Sequence, residues 1–415
     1  MRYMTSNDMT SAKAPSRIAS NYHLVIVGTN FVLLLAAMGF GRYAYPMLLP
    51  SMQEGLGVTY APMGILGTVN LIGYLSFSLI SGILATRYGA KTIITGSVLL
   101  AGLAMIGLGL TSTYWLALIL MLLTGIGTAG TFTPGSGLSR AWVPPTRIGI
   151  TMGLLSTGVG AGILIAAGFT RWILTSQGQE DGWRNAWVYL GIATVLLTTV
   201  AVVALKEKSP QHGPEKAGGT RPALAWGQVF RNPTVIGLVV TYFLFGFYQI
   251  YATFFVAFLR GPLKLSTADA GNIWLAWAIV GVVFMAFWGW LSDRIGRREA
   301  MFPCTVVLVI SVLMPIFWHD VPLLYLSAML YGATFTGPMT IILASAGEAV
   351  APRLAAASLG LVTAGFGLGQ AVSPAIAGQL TDMTGSFYPG FIISAVVMLL
   401  SFVTFSLLPL KRHSG

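Results

Sequence analysis

Residues 289–298 read GWLSDRIGRR, and residues 82–91 read GILATRYGAK. A shift of 207 residues superposes them: Gly82, Arg87 and Gly89 fall on Gly289, Arg294 and Gly296. The same shift, with no gap, carries Gly64 onto Gly271, Gly125 onto Gly332, and Gly153, Gly158, Gly160 and Gly162 onto Gly360, Gly365, Gly367 and Gly369. A chain with 50 glycines matches a few by chance, but one ungapped offset across most of a half marks an internal duplication.

The composition says what was duplicated. The chain has 415 residues, 55% hydrophobic and 8% charged, with a mean hydropathy of +0.78. A soluble domain carries about 25% charged residues. A fold of this length cannot hide that much apolar surface from water, so an integral membrane protein is expected. Apolar stretches of spanning length fall at 21–50, 60–83, 92–111, 113–136, 149–172, 184–205, 232–258, 268–291, 300–318, 321–345, 355–379 and 387–408. The short alternating segments of a membrane β-barrel are missing. The expected fold is all-α: twelve transmembrane helices in two pseudo-symmetric six-helix halves, residues 21–205 and 232–408. Residues 206–231, rich in Gly, Pro and Lys, read as a flexible cytoplasmic linker, with cytoplasmic tails at 1–20 and 409–415. Parallel halves imply a pseudo-twofold axis along the membrane normal, with a site between them near the midplane.

The net charge of +11 is topological. On this layout 18 of the 23 Lys and Arg lie in the tails and in the loops on the same side as the tails. The opposite loops hold only Arg171, Arg184, Arg260 and Lys264. That bias places both termini in the cytoplasm of a cell (inner or plasma) membrane and removes the case for a nucleic-acid partner. The first twenty residues are polar, and the first apolar stretch is too long for a cleaved leader, so it is expected to stay as a helix. Cys304 is the one cysteine, which excludes a disulfide within the chain and a thiolate metal cluster. No phosphate-binding Gly-rich loop ending in Lys-Ser/Thr occurs, and no His, Cys and carboxylate cluster has ligand spacing. An enzyme, a cofactor and a metal site are therefore not expected.

The two signature loops resemble the cytoplasmic G-x-x-x-D-R-x-G-R-R loop of the major facilitator superfamily. The twelve spans, the central linker and GWRNAW at residues 182–187 fit the same resemblance over nearly the whole chain. Within the superfamily, GFGRYAYPMLLPSMQ at residues 39–53 looks like the YbfB/YjiJ-like group. The resemblance implies a secondary transporter, monomeric, with Arg87, Asp293, Arg294, Arg297 and Arg298 at an inner gate. A carboxylate there can face the positive end of a neighbouring helix while the arginines hold cytoplasmic groups or lipid phosphates. In the first copy Thr86 stands where the carboxylate belongs, so the gate should lean on Asp293. The plainer reading is that both loops only anchor the cytoplasmic face. The Gly-Pro element that many drug:proton antiporters carry in span five is absent, and Pro374 in span eleven reads as a kink.

Arg42 is the charge inside the first span, where an ionised group costs at least ~2.5–3.5 kcal/mol. All twelve acidic residues fall in loops or near helix ends. A cation without a buried carboxylate, facing a water-filled cavity, suits a diffusible anion. Arg42 also resembles the anion-binding arginine ahead of a proline in span one of the glycerol-3-phosphate transporter and related carriers. Those carriers use a second arginine in span seven. Here the repeat places Gln249 at that register, which suits one carboxylate better than a phosphate dianion. The competing reading has Arg42, ~31 Å along a helix begun at Asn21, snorkelling to the periplasmic headgroups.

Tyr43 and Tyr45 flank Arg42, and Tyr248 flanks Gln249. Asn70, Trp274, Trp277 and Tyr331 complete an expected pocket of aromatic walls and a few polar groups. The expected activity is transport of a small organic anion, a monocarboxylate, aromatic or hydroxy-substituted, by alternating access. Its partners would be the bilayer and either a co-transported proton or a counter-anion. The alternatives are an exporter of drugs or metabolites with Arg42 in a gate, and a non-transporting sensor on the same scaffold.

Overall fold

The computed structural model describes residues 17–144, 147–207, 226–284, 287–351 and 354–410. Most of the expected linker and tails (1–16, 208–225 and 411–415) lie outside these residues. Among the described residues, twelve helices are long and apolar enough to cross a membrane. Spans 1 to 6 are Tyr22–Tyr43, Tyr60–Tyr88, Ala90–Leu110, Tyr114–Trp142, Ile148–Gln177 and Gln179–Ala204. Spans 7 to 12 are Pro233–Arg260, Thr267–Phe284, Arg297–Phe317, Val321–Glu348, Ala357–Thr384 and Tyr388–Leu407.

Each expected apolar stretch has its helix, but several helices overrun the stretch. Span 2 runs to Tyr88, span 4 to Trp142 and span 5 to Gln177. Hydropathy marks where hydrocarbon is needed, whereas a helix continues until its backbone is diverted. The diverting residues at the signature loops are Gly89 (φ +91°) and Gly296 (φ +106°), in a region that side-chain-bearing residues rarely adopt. They are related by the repeat, so the same turn is built twice.

Spans 1 and 7 are broken at matching positions. Span 1 is α-helical over Arg17–Leu34, widens to a π turn over Leu35–Phe40, and resumes as Gly41–Tyr43 and, past Ala44, as Tyr45–Leu56. Span 7 is Pro233–Phe245, a 3₁₀ turn at Gly246–Tyr248, then Gln249–Arg260. The cause is a pair of close crossings. Gly39 lies on the backbone of Gly162 in span 5, and Gly246 on the backbone of Gly369 in span 11. A Cβ at Gly39 would overlap Gly162, and one at Gly369 would overlap the carbonyl of Phe243. The shift of 207 carries one crossing onto the other.

The breaks disturb the main-chain ladder, and nearby hydroxyls bond its carbonyls. Thr128 donates to Ala37 O (3.0 Å), Ser394 to Phe247 O (3.0 Å) and Tyr331 to Tyr248 O (2.9 Å). Irregular backbone at membrane depth requires such partners. A second repeated crossing sets Gly125 on the carbonyl of Asn70 and Gly332 on that of Trp277.

The halves meet where span 2 packs on span 11, span 5 on span 8, and Tyr45–Leu56 on Gln249–Arg260. Large apolar side chains such as Leu79, Leu110, Val203 and Leu407 project outward, as a lipid-facing surface needs. Gly39→Ala and Gly246→Ala should each destabilise the protein by about 1–3 kcal/mol, the usual cost of overpacking. Thermal unfolding in detergent checks this against Gly96→Ala, whose Cβ meets nothing within 4 Å and should be nearly silent.

Candidate functional site

Arg42 stands just past the π turn of span 1, in the segment Gly41–Tyr43, and points across the interface between the halves. Its Nη2 donates to Gln370 Oε1 on span 11 at 3.0 Å. The rings of Tyr43 and Tyr74 lie 5.6 and 5.5 Å from the guanidinium carbon, within cation–π range. Its Nε is buried with no hydrogen-bond partner. The side chain therefore faces the other half.

Gln370 is 4% exposed. Guanidinium only donates, so the amide must turn its oxygen to Arg42. The amide nitrogen then donates to Tyr248 Oη (2.7 Å) and Gln249 Oε1 (3.3 Å), and Gln249 Nε2 donates to Thr253 Oγ1 (3.3 Å). One continuous polar chain thus runs from a cation in span 1 through span 11 to span 7. The break in span 7 puts Tyr248 and Gln249 there, because both immediately follow the crossing at Gly246. Pro374 has no N–H for the carbonyl of Gln370, and the Ser373 hydroxyl makes a long 3.4 Å bond to it.

A cavity of about 20 Å³, enough for roughly one water, is lined by Arg42, Tyr45, Asn70, Gln249, Thr253 and Pro374, among others. Four of the expected binding residues therefore share one wall. Tyr45 and Asn70 already spend donors on backbone, at Met63 O and Met121 O. Tyr43 is half-buried beside the cation. The remaining aromatics pack on one another: Tyr248 lies nearly parallel to both Phe245 (5.2 Å) and Phe366 (5.9 Å), and Tyr331 stacks on Tyr251 (4.4 Å). Trp277 sits against Phe335, and Trp274 stacks on Trp277 at 4.2 Å, with neither indole N–H partnered. Trp277 also meets Tyr331, at 6.4 Å. Sequence reasoning missed Gln370, Tyr74 and Thr253. Gln370 was legible as a neutral polar residue inside an apolar span, four before Pro374.

The expected gating residues lie at the face that carries both ends of the described chain. Arg297 pairs with Asp293 four residues earlier and with Glu348 (2.7 Å) at the end of span 10. Arg298 donates to Leu408 O (2.7 Å). Arg87 and Arg294 stack on Tyr88 and Trp290. Thr86 bonds only back to its own helix, at Ile83 O. Every one of these contacts stays inside one half.

The opposite face is where the halves are tied. Asp382, from span 11, accepts from Tyr60 N (2.9 Å), Ala61 N (2.8 Å) and the Thr59 hydroxyl. It caps the start of span 2 from the other half, because Thr59 makes no cap bond itself. Around the pseudo-axis, span 8 caps itself with Ser266 and Asp269. There the halves join through Gln179 Nε2 to Thr267 Oγ1 (3.1 Å) and Arg171 Nε to Ala268 O (3.4 Å).

The profile of a family described as "Uncharacterised MFS-type transporter YbfB" matches residues 34–405. The Probable sulfoacetate transporter SauU of Cupriavidus necator is 22% identical over 84% of this chain and 85% of its own length. The Hexuronate transporter of Bacillus subtilis is 23% identical over 88% and 90%. Among solved structures, the nucleoside transporter NupG superposes with a TM-score of 0.77 at 16% identity, covering 94% of this chain and 100% of that one. That likeness is one of fold.

The Asp382 cap should be what resists opening at this face. Asp382→Ala removes two charge-assisted cap bonds, and the cap alone is worth about 0.5–2 kcal/mol. A cysteine at Ser51, which is 2% exposed beside this closure, should then react several-fold faster with a maleimide than in the parent.

Proposed function

This chain belongs to the YbfB family of MFS-type transporters, and we propose that it carries a small organic anion across the membrane by alternating access, with Arg42 as the anion clamp. The observation that carries this reading is the bonding of Arg42: a guanidinium at mid-span whose hydrogen-bond acceptor is a neutral amide of the opposite half, with Nε unpartnered. A substrate carboxylate can take two parallel N–H bonds from such a group. The repeat offers no second cation, since Gln249 occupies the register of Arg42. One positive charge with the Gln249 and Gln370 amides suits a monocarboxylate whose hydroxyl or keto oxygen the amides read. The names of two relatives, a sulfoacetate and a hexuronate transporter, support an acidic substrate.

With both termini in the cytoplasm, as the charge bias suggests, the Asp382 closure is the outer gate and the conformation is inward-facing. The Asp293–Arg297–Glu348 cluster, with Arg87, Arg294 and Arg298, would regroup across the halves to shut the inner side. The acidic residues among those described sit at span ends, so a symported proton would travel with the substrate or by water, and anion exchange would need none. The aromatic layer of Tyr248, Tyr331 and Phe366 favours a second reading, an exporter of amphipathic drugs or metabolites.

Ligand thermal shifts on the wild type and Arg42→Gln separate the two. The panel is small carboxylates including a hexuronate and sulfoacetate, their neutral analogues, and common drugs. A ligand at 100 times its Kd stabilises by about 2.7 kcal/mol. Acids should raise the Tm of the wild type and leave Arg42→Gln unmoved. Equal stabilisation of both proteins by neutral or cationic drugs would favour the exporter.

A further inference from the structure

Gln370 has no counterpart in the repeat: the shift of 207 places it on Ile163, a buried aliphatic residue. Packing at that register therefore does not require an amide. The amide in the C-terminal half is nonetheless fully engaged, accepting from Arg42 and donating to Tyr248 and Gln249. Its oxygen occupies the Nη2 side of Arg42, where one oxygen of a bound carboxylate would lie. An acid that takes this Nη2 N–H as one of its two bonds supplies the oxygen that Gln370 otherwise provides.

We infer that Gln370 is the internal stand-in ligand of Arg42, the group that lets the carrier change sides without substrate. This rests on the reading of Arg42 as an anion clamp. With the inner side open, water can reach a half-buried Arg42 and replace a lost hydrogen bond. In an occluded intermediate, shut on both sides, water is excluded and a bare guanidinium is costly. Gln370 supplies an oxygen at that moment. The bridge lies at mid-span, between the closed Asp382 face and the opposite face, where rocking of two rigid halves changes distances least. An acid supplies the same oxygen on the loaded passage, so the amide matters most on the empty return. The consequence is a net transporter, able to return empty, rather than an obligate anion exchanger.

The test reads the empty carrier and needs no substrate. Ser51→Cys, buried at the same closed face where Ser51 donates to Gln179 (3.3 Å), reports each opening of that face to a membrane-impermeant maleimide in proteoliposomes. The buried Cys304 is replaced by Ser in every variant. The parent should label steadily with no acid present. Gln370→Ala should label about tenfold more slowly, as loss of a hydrogen bond to a charged group implies. Gln370→Glu, which keeps an oxygen at Arg42, should label at least as fast as the parent. Three results overturn the inference: no labelling of the parent, Gln370→Ala labelling as fast as or faster than the parent, or Gln370→Glu slowed as much as Ala. Faster labelling would make the bridge a latch on the present conformation. Failure of the anion clamp would appear separately, as acids stabilising Arg42→Gln and wild type alike.

Discussion

A single guanidinium inside the membrane must be kept hydrogen-bonded, and much of the interior follows from that. Among the described residues no carboxylate pairs with Arg42, and its acceptor comes from the opposite half as the Gln370 oxygen. Gln370 can serve only because its own N–H groups are taken by Tyr248 and Gln249. Those two residues are in place because span 7 breaks at Gly246, and Arg42 because span 1 breaks at Gly39. Both breaks are backbone-on-backbone crossings that tolerate no side chain. Glycine packing, helix irregularity and charge compensation are thus successive steps of one arrangement.

Duplication gives the chain two copies of each crossing, and function lies where the copies differ. Arg42 is matched by Gln249, Gln370 by Ile163, and Asn70 by Trp277. The N-terminal half contributes the charge, and the C-terminal half the amides and most of the stacked rings. The closed face is divided in the same way. Span 8 caps itself through Ser266 and Asp269, whereas span 2 borrows Asp382 from the other half. At Asp382's own register the first half has Thr175, so only one side of the closure is tied by a carboxylate. One side of the closure can therefore act as a latch while the other slides.

The signature loops show the same asymmetry. The second copy has Asp293 and gathers Arg297 and Glu348 around it. The first has Thr86, and there Glu207, beyond span 6, accepts from Lys91 N at the start of span 3 (2.9 Å). A carboxylate from elsewhere in the chain thus stands near the position that the first loop leaves neutral.

The sequence alone determined the twelve spans, the duplication and the membrane setting, because hydropathy, charge bias and glycine spacing are local or strictly periodic. It also singled out Arg42 and, through the repeat, Gln249. It could not reveal Gln370 as the partner of Arg42, since a contact between residues 328 apart leaves no periodic trace. Nor could it tell that Trp274 stacks on Trp277 and that Trp277 meets Tyr331: spacing on a helix fixes a shared face but not what that face meets. Asp382 looked like an ordinary acid at a helix end, and only packing of span 11 on span 2 made it a cap. Tertiary structure decided these points because each depends on how two halves, continuous only through a linker, are set against each other.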